Sequence, residues 1–144
     1  MQSQISQKKI KFQVAIAWSA VASLLLFLID RLLKNWATQN VNDQGGWFYY
    51  FANQGGVFSL PLSQPSLIAL AALALAVVGG FGVWAYQRNN SLVLLAAGLM
   101  FVGGYSNLLD RLSTGVVIDY WHLSSLSFNL ADIYLLVGLG LMIL

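Results

Sequence analysis

Cysteine and glutamate are absent from the sequence, histidine occurs once, and charged residues make up only 8% of the chain. Without cysteine there are no disulfides, no thiolate metal sites and no cysteine nucleophile. One histidine and no thiolate make a poor zinc set, so a metal site built from Asp119, His122 and Asp132 is not expected. The scarcity of charge excludes more. An ordinary soluble domain is about 45–50% apolar and about 25% charged. This chain is 58% apolar, and so little charge cannot cover a soluble surface. The net charge of +2 is spread out, with no basic tract suited to nucleic acid. The composition is that of an integral membrane protein, and the length suggests one domain over residues 1–144.

A helix needs about 20 mostly apolar residues to cross a bilayer. Four stretches approach this, at about 12–33, 67–86, 92–109 and 128–144. The first resembles a signal peptide, with Lys8, Lys9 and Lys11 before it and Ala20-Val21-Ala22 within it. Its apolar run continues to Ile29, beyond the roughly 7–15 residues of a signal-peptide core, so cleavage is not expected. Four spans place both termini on one side. Lys8, Lys9, Lys11 and Arg88 all fall at that side and make it cytoplasmic by the positive-inside rule. Every acid falls at the other end: Asp30, Asp43, Asp110, Asp119 and Asp132.

The two loops at the acidic end cover about 34–66 and 111–127. Trp47 to Phe51, then Asn53-Gln54-Gly55-Gly56, then Val57 to Leu60 reads as strand, turn, strand. Residues 115–123 read as another short β-like segment. Tryptophan and tyrosine suit the headgroup layer, so a small β element is expected on the outer membrane surface.

The acids sit in distinct surroundings. Asp30 and Lys34 are spaced to pair on one helix face, and Asn107 and Asp110 share another. Gly103-Gly104 allow close approach of a helix or a substrate chain. If this group is only a polar cap on the bundle, Arg111 snorkels to the interface; the functional reading is a polar wall of a site, and Asp43 is expected in a solvated turn. Asp119 lies among Val116, Val117, Ile118, Tyr120 and Trp121, where a solvated acid is out of place. Asp132 follows Asn129 by one turn. If the intervening loop folds back, the two carboxylates meet and share a proton, supplying a general base and a general acid together. A structural polar cluster at the helix ends accounts for the same spacing. His122 reads as an interfacial residue, the serines at 124, 125 and 127 as loop, and Ser127 as a helix N-cap.

In order along the chain stand Asp30-x-x-x-Lys34, Asn53-Gln54-Gly55-Gly56-Val57-Phe58, Gly103-Gly104-x-x-Asn107-x-x-Asp110-Arg111, Val117-Ile118-Asp119 and Phe128-Asn129-x-Ala131-Asp132. In these motifs the sequence resembles the signal peptidase II family, aspartic proteases of the bacterial inner membrane. The resemblance implies cleavage of lipoprotein precursors just before a diacylglyceryl-modified cysteine, at the periplasmic face, without a metal or organic cofactor. It places the catalytic dyad on Asp119 and Asp132. It places Asn53, Gly55, Asn107, Arg111 and Asn129 along the site, and Asp30, Lys34, Gly104 and Asp110 in its support. It further implies a four-helix membrane fold with a small periplasmic β-sheet. Arg31 stands where the family usually has glutamine, Ser106 where glycine is common, and the loop between the two acids is short. A membrane protein binding a cation or polar ligand through its aspartates, or an inactive precursor-binding relative, fits the same residues.

Overall fold

The structure, a computed structural model, describes residues 2–40, 46–55, 62–124 and 126–144. Four helices and three strands follow in the order α1 (Gln2–Gln39), β1 (Phe48–Asn53), α2 (Gln64–Gln87), α3 (Ser91–Thr114), β2 (Val117–Leu123), β3 (Leu126–Phe128) and α4 (Leu130–Ile143). The membrane-length apolar spans are Phe12–Gln39 within α1, Gln64–Gln87 (α2) and Ser91–Thr114 (α3), with mean hydropathies of 2.2, 2.3 and 1.8 over their most apolar stretches. Each is long enough to cross a bilayer. At 14 residues, α4 is shorter and rises only about 21 Å. The chain is a multi-pass membrane protein with a small antiparallel sheet, as its composition implies.

Local chemistry sets the helix ends. The Ser63 side chain accepts from Ser66 N at the start of α2, with Pro65 in the first turn. Asn90 caps α3 through Val93 N at 3.2 Å. Gly115 ends α3 in the left-handed region at φ 79° and donates to Arg111 O, a conformation glycine adopts without a Cβ penalty. The head of α4 is a capping box. The Asn129 side chain accepts from Asp132 N, and the Asp132 side chain accepts from Asn129 N. This corrects the reading of Ser127 as the cap. Ser127 lies in β3, opposite His122, and Phe128 is strand rather than the start of a span. The first helix also runs past 33, to Gln39.

Helix α3 is the centre of the bundle and packs against α1, α2 and α4. Two glycines set its spacing. A Cβ on Gly103 would collide with the Ala131 carbonyl of α4, and one on Gly104 would press on Leu75 of α2. The sheet has the order β1-β2-β3. Phe51 lies opposite Asp119 and Asn53 opposite Val117, with an irregular register between Phe48 and Phe51. Ile118 and Tyr120 of β2 pack on Ala37 of α1, flanked by Leu33, Phe48, Tyr50, Trp121 and Leu130. The expected strand over 57–60 and the turn at Asp43 fall outside the described residues.

Burial is inverted relative to a soluble domain. Large apolar side chains such as Leu24, Leu28, Leu32, Leu73 and Leu136 face outward, where lipid would lie. The largest fully buried side chains are Tyr120, Lys34, Asn129, Asp30, Asp110, Asp119 and Ser106. The interior at the acidic end of the bundle is therefore polar.

Candidate active site

One part of this interior is an ion cluster between α1 and α3. Lys34 Nζ lies 3.2 Å from Asp30 and 2.7 Å from Asp110, with all three side chains buried. A third donation from Lys34 reaches Asn107 Oδ1 at 2.8 Å. Arg31, partly exposed, closes on the other Asp110 oxygen. Ser106 Oγ donates to Asp30 Oδ2, and Arg31 Nη1 also reaches Ser106. Buried charges are tolerated only when each is paired and hydrogen-bonded. Here no buried side-chain nitrogen or oxygen among the described residues lacks a partner.

Both acids of this cluster also hold backbone. Asp110 Oδ2 accepts from Ile118 N, the residue before Asp119. Asp30 Oδ1 accepts from Ala131 N, the residue before Asp132. A helix leaves its first N–H groups without intrahelical partners, and Asp30 satisfies one of them at the head of α4. The cluster thus fixes β2 on one side and α4 on the other.

Beside it stand the other two acids among the described residues, Asp119 and Asp132. Asp119 Oδ2 accepts from Asn53 Nδ2 at 2.8 Å, and Oδ1 from Asn129 Nδ2 at 2.7 Å. Asp132 Oδ1 accepts from Asn107 Nδ2 at 2.8 Å, and Oδ2 from Asn129 N at 3.1 Å. The three asparagine amides are oriented by groups that can only donate. Gly55 N–H faces Asn53 Oδ1, Lys34 Nζ faces Asn107 Oδ1, and Asp132 N–H faces Asn129 Oδ1. Each amide must then turn its NH₂ toward a carboxylate. Asn129 bridges the pair, with its side chain on one acid and its backbone on the other. Burial raises the pKa of Asp119 to about 6. Hydrogen bonds from Asn53 and Asn129 oppose that rise, and the charge of Asp132 adds to it.

Arg111 does not snorkel away. Its guanidinium donates to Gly55 O at 2.6 Å and to Gln64 Oε1 at 3.3 Å, tying the end of β1 to the start of α2. Its charge acts on Asp119, Asp110 and Asp132. His122 takes no part in this constellation. Its ring stacks on Tyr49 at 3.5 Å, with its nitrogens on Tyr49 O and Ser127 Oγ.

The candidate site residues Asp30, Lys34, Asn53, Gly55, Gly104, Asn107, Asp110, Arg111, Asp119, Asn129 and Asp132 therefore lie in or next to one site, and His122 does not. Gly104 is the least direct, since it spaces α3 from α2, while Gly103 sets the distance to α4. Sequence reasoning missed Arg31, Ser106 and Tyr120 as members. Tyr120 Oη accepts from Leu130 N at 2.9 Å and donates to Asp30 Oδ1 at 3.3 Å. Only the aromatic context of Asp119 hinted at it. Arg31 and Ser106, the two departures from the resemblance, prove to touch each other.

Fold and site together define a multi-pass helical membrane protein with a buried carboxylate centre at one end of its bundle. A family model described as signal peptidase (SPase) II matches residues 22–144, and the chain belongs to that family. It is 29% identical over 136 residues to a lipoprotein signal peptidase of Streptococcus pneumoniae (strain ATCC BAA-255 / R6), covering 87% of this chain and 89% of that one. It is 33% identical over 139 residues to a lipoprotein signal peptidase of Shewanella pealeana (strain ATCC 700345 / ANG-SQ1), covering 84% and 81%. Its fold is similar to a solved bacterial membrane enzyme structure with a TM-score of 0.71 at 19% identity, covering 89% of this chain and 86% of the other.

Proposed function

We propose that the protein is an aspartic endopeptidase that removes signal peptides from diacylglyceryl-modified lipoprotein precursors, cutting before the lipidated cysteine. Asp119 and Asp132 are the catalytic pair. The observation that carries this reading is the bridging of the two carboxylates by Asn129, with both oxygens of each acid held by N–H donors.

Charge balance supports one shared proton. Among the described residues, Asp30, Asp110, Asp119 and Asp132 face three cations, Arg31, Lys34 and Arg111. Arg31 and Lys34 match Asp30 and Asp110, which leaves Arg111 against the pair. One retained proton brings the site to neutrality, and two nearby carboxylates cannot easily both ionise. The ionised member takes a proton from water as its oxygen attacks the scissile carbonyl carbon. The protonated member gives its proton to the carbonyl oxygen. As the tetrahedral species collapses, the C–N bond breaks, the leaving amine takes a proton from the protonated acid, and a hydroxyl of that species returns its proton to the ionised acid as the carbonyl re-forms. The two apparent pKa values belong to the pair rather than to either acid.

Placement follows from the substrate. Each buried CH₂ of an acyl chain contributes about 0.8 kcal/mol to membrane retention, so the lipidated cysteine stays near the interface. The site lies within the last turns of α3 and the first turn of α4, a depth such a cysteine reaches. Under the positive-inside rule, Lys8, Lys9, Lys11 and Arg88 support an orientation with that end at the periplasmic face of the bacterial cytoplasmic membrane and both termini cytoplasmic. Arg111 and Asn53 tie the first loop to the site and are placed to orient the substrate backbone.

The test is cleavage of a diacylglyceryl-modified precursor by reconstituted protein. Wild type is expected to cleave, and Asp119→Asn and Asp132→Asn are each expected to lose activity. Cleavage that survives in either variant removes the dyad. Loss of wild-type cleavage on adding a chelator points to a metal instead. Precursor binding without cleavage identifies an inactive relative.

A further inference from the structure

Tyr120 is completely buried and stands next to Asp119 on β2. Its ring packs on Phe48 at 5.2 Å and on Trp121 at 5.2 Å. The hydroxyl, however, crosses from the strand to a different element. It accepts from Leu130 N, the first helical residue of α4, at 2.9 Å. A backbone N–H can only donate, so the phenol proton is directed to its other neighbour, Asp30 Oδ1 at 3.3 Å. The same Asp30 oxygen accepts from Ala131 N. The successive N–H groups of Leu130, Ala131 and Asp132 are thus taken by Tyr120, Asp30 and Asn129.

We infer that Tyr120 is a positioning residue that sets the separation of the two reacting carboxylates. It is one residue from Asp119 along the strand and two from Asp132 along the chain through Leu130. Only one other described hydrogen-bonding residue, Asn129, joins β2 to the head of α4, through Asp119 and Ile118 O. Asn129 is itself part of the α4 cap, so its direction follows that helix rather than fixing it. Tyr120 is anchored independently, by its strand and by the aromatic cluster against α1. Burial, and then the charge of Asp30, hold the phenol above its ordinary pKa, so it remains a neutral donor. The inference rests on the two-carboxylate reading proposed above.

Two substitutions delete opposite halves of the same hydrogen bond. Tyr120→Phe keeps the ring and removes the hydroxyl. Leu130→Pro removes the N–H at the first helical position, where proline fits, after an Asn129 already extended at φ −130° and ψ 177°. Tyr120→Phe removes only a phenol that stays neutral, and neither substitution alters the charged groups around the pair, Asp30, Arg31 and Lys34 on α1 and Asp110 and Arg111 on α3. Both are measured in reconstituted full-length protein with the diacylglyceryl-modified precursor.

The expected result for each is a kcat lower by roughly 10- to 100-fold with KM little changed, since misplacement by about 1 Å has that scale of effect. The pair moves apart, its coupling weakens, and the alkaline limb of the kcat profile shifts to lower pH. The double variant falls no further than the weaker single. Tyr134→Phe deletes a comparable hydroxyl bond, to Leu26 O, and is expected to lower thermal stability without moving the limb. Unchanged kcat and pH limb in Tyr120→Phe overturns the inference, as does full additivity in the double variant or an equal shift in Tyr134→Phe. Should Tyr120→Phe not fold, Leu130→Pro with a wild-type profile overturns it alone. If Asp119→Asn and Asp132→Asn are inactive while Tyr120→Phe behaves as wild type, only this inference falls. If either aspartate variant cleaves, the dyad reading itself falls.

Discussion

Asp119 is the residue at which chemistry and stability oppose each other. It is 1% exposed, and folding raises its pKa from 3.8 to about 6 through burial. In that window the folded state holds a proton that the unfolded chain has released. The penalty for ionising it is absent below about pH 4 and complete somewhat above pH 6. The difference in melting temperature between Asp119→Asn and wild type should therefore move in favour of the variant as pH rises from about 4 to about 7. A difference that is flat with pH would show that Asp119 titrates normally. Arg31 carries a second prediction at this scale. Arg31→Ala leaves one oxygen of the fully buried Asp110 without its partner, at about 1–3 kcal/mol. Thermal unfolding in detergent measures the loss, and cleavage should weaken with it because Asp110 holds Ile118 N. Nothing local reveals this pairing, since the two residues are 79 positions apart. The Asp30–Lys34 pair was legible because helical spacing alone brings it together.

At the scale of elements, the contact between α3 and α4 decides where Asp132 sits. Gly103 lets the backbone of α3 meet the carbonyl of Ala131, the residue before Asp132. Gly103→Ala should push the α4 head outward, at about 1–3 kcal/mol for overpacking, and reduce cleavage beyond what the stability loss explains. Gly140, with nothing near its added Cβ, is the matched control, and Gly140→Ala should lower neither stability nor cleavage, since alanine favours a helix over glycine. Equal losses in the two variants would show that the effect does not come from the Ala131 contact. The helices themselves were readable from long apolar runs. The sheet was readable in part. β1 and β2 follow from their aromatic and β-branched residues, whereas β3 has three residues, Leu126–Phe128, too few for any alternation to register. For that reason its serine reads as a cap in the sequence, while the true cap, Asn129, is marked by its spacing to Asp132.

For the whole molecule the governing fact is that lipid supplies no hydrophobic drive between helices, so small residues and polar contacts hold the bundle. The outward leucines and the inward ion cluster are two sides of that condition. Orientation belongs to this scale. The absence of native cysteine allows single thiols to report it. Leu126→Cys, at an exposed position on β3, should react with a membrane-impermeant maleimide on intact spheroplasts. Gln87→Cys, at the end of α2, should react only after permeabilisation. The reverse pattern would invert the assignment of the site to the periplasmic face.

The sequence by itself determined that this is a membrane protein, how many apolar helices it builds, and which end of them gathers the acids. Hydropathy and helical spacing are local properties, and local properties are written directly in the order of residues. The tertiary structure decided which acid pairs with which cation, which way each asparagine amide turns, and that Tyr120 joins the strand of Asp119 to the helix of Asp132. Those outcomes depend on groups from α1, α3, β2 and α4 satisfying one another across the packed bundle. Only the packed bundle sets the distances at which they do so.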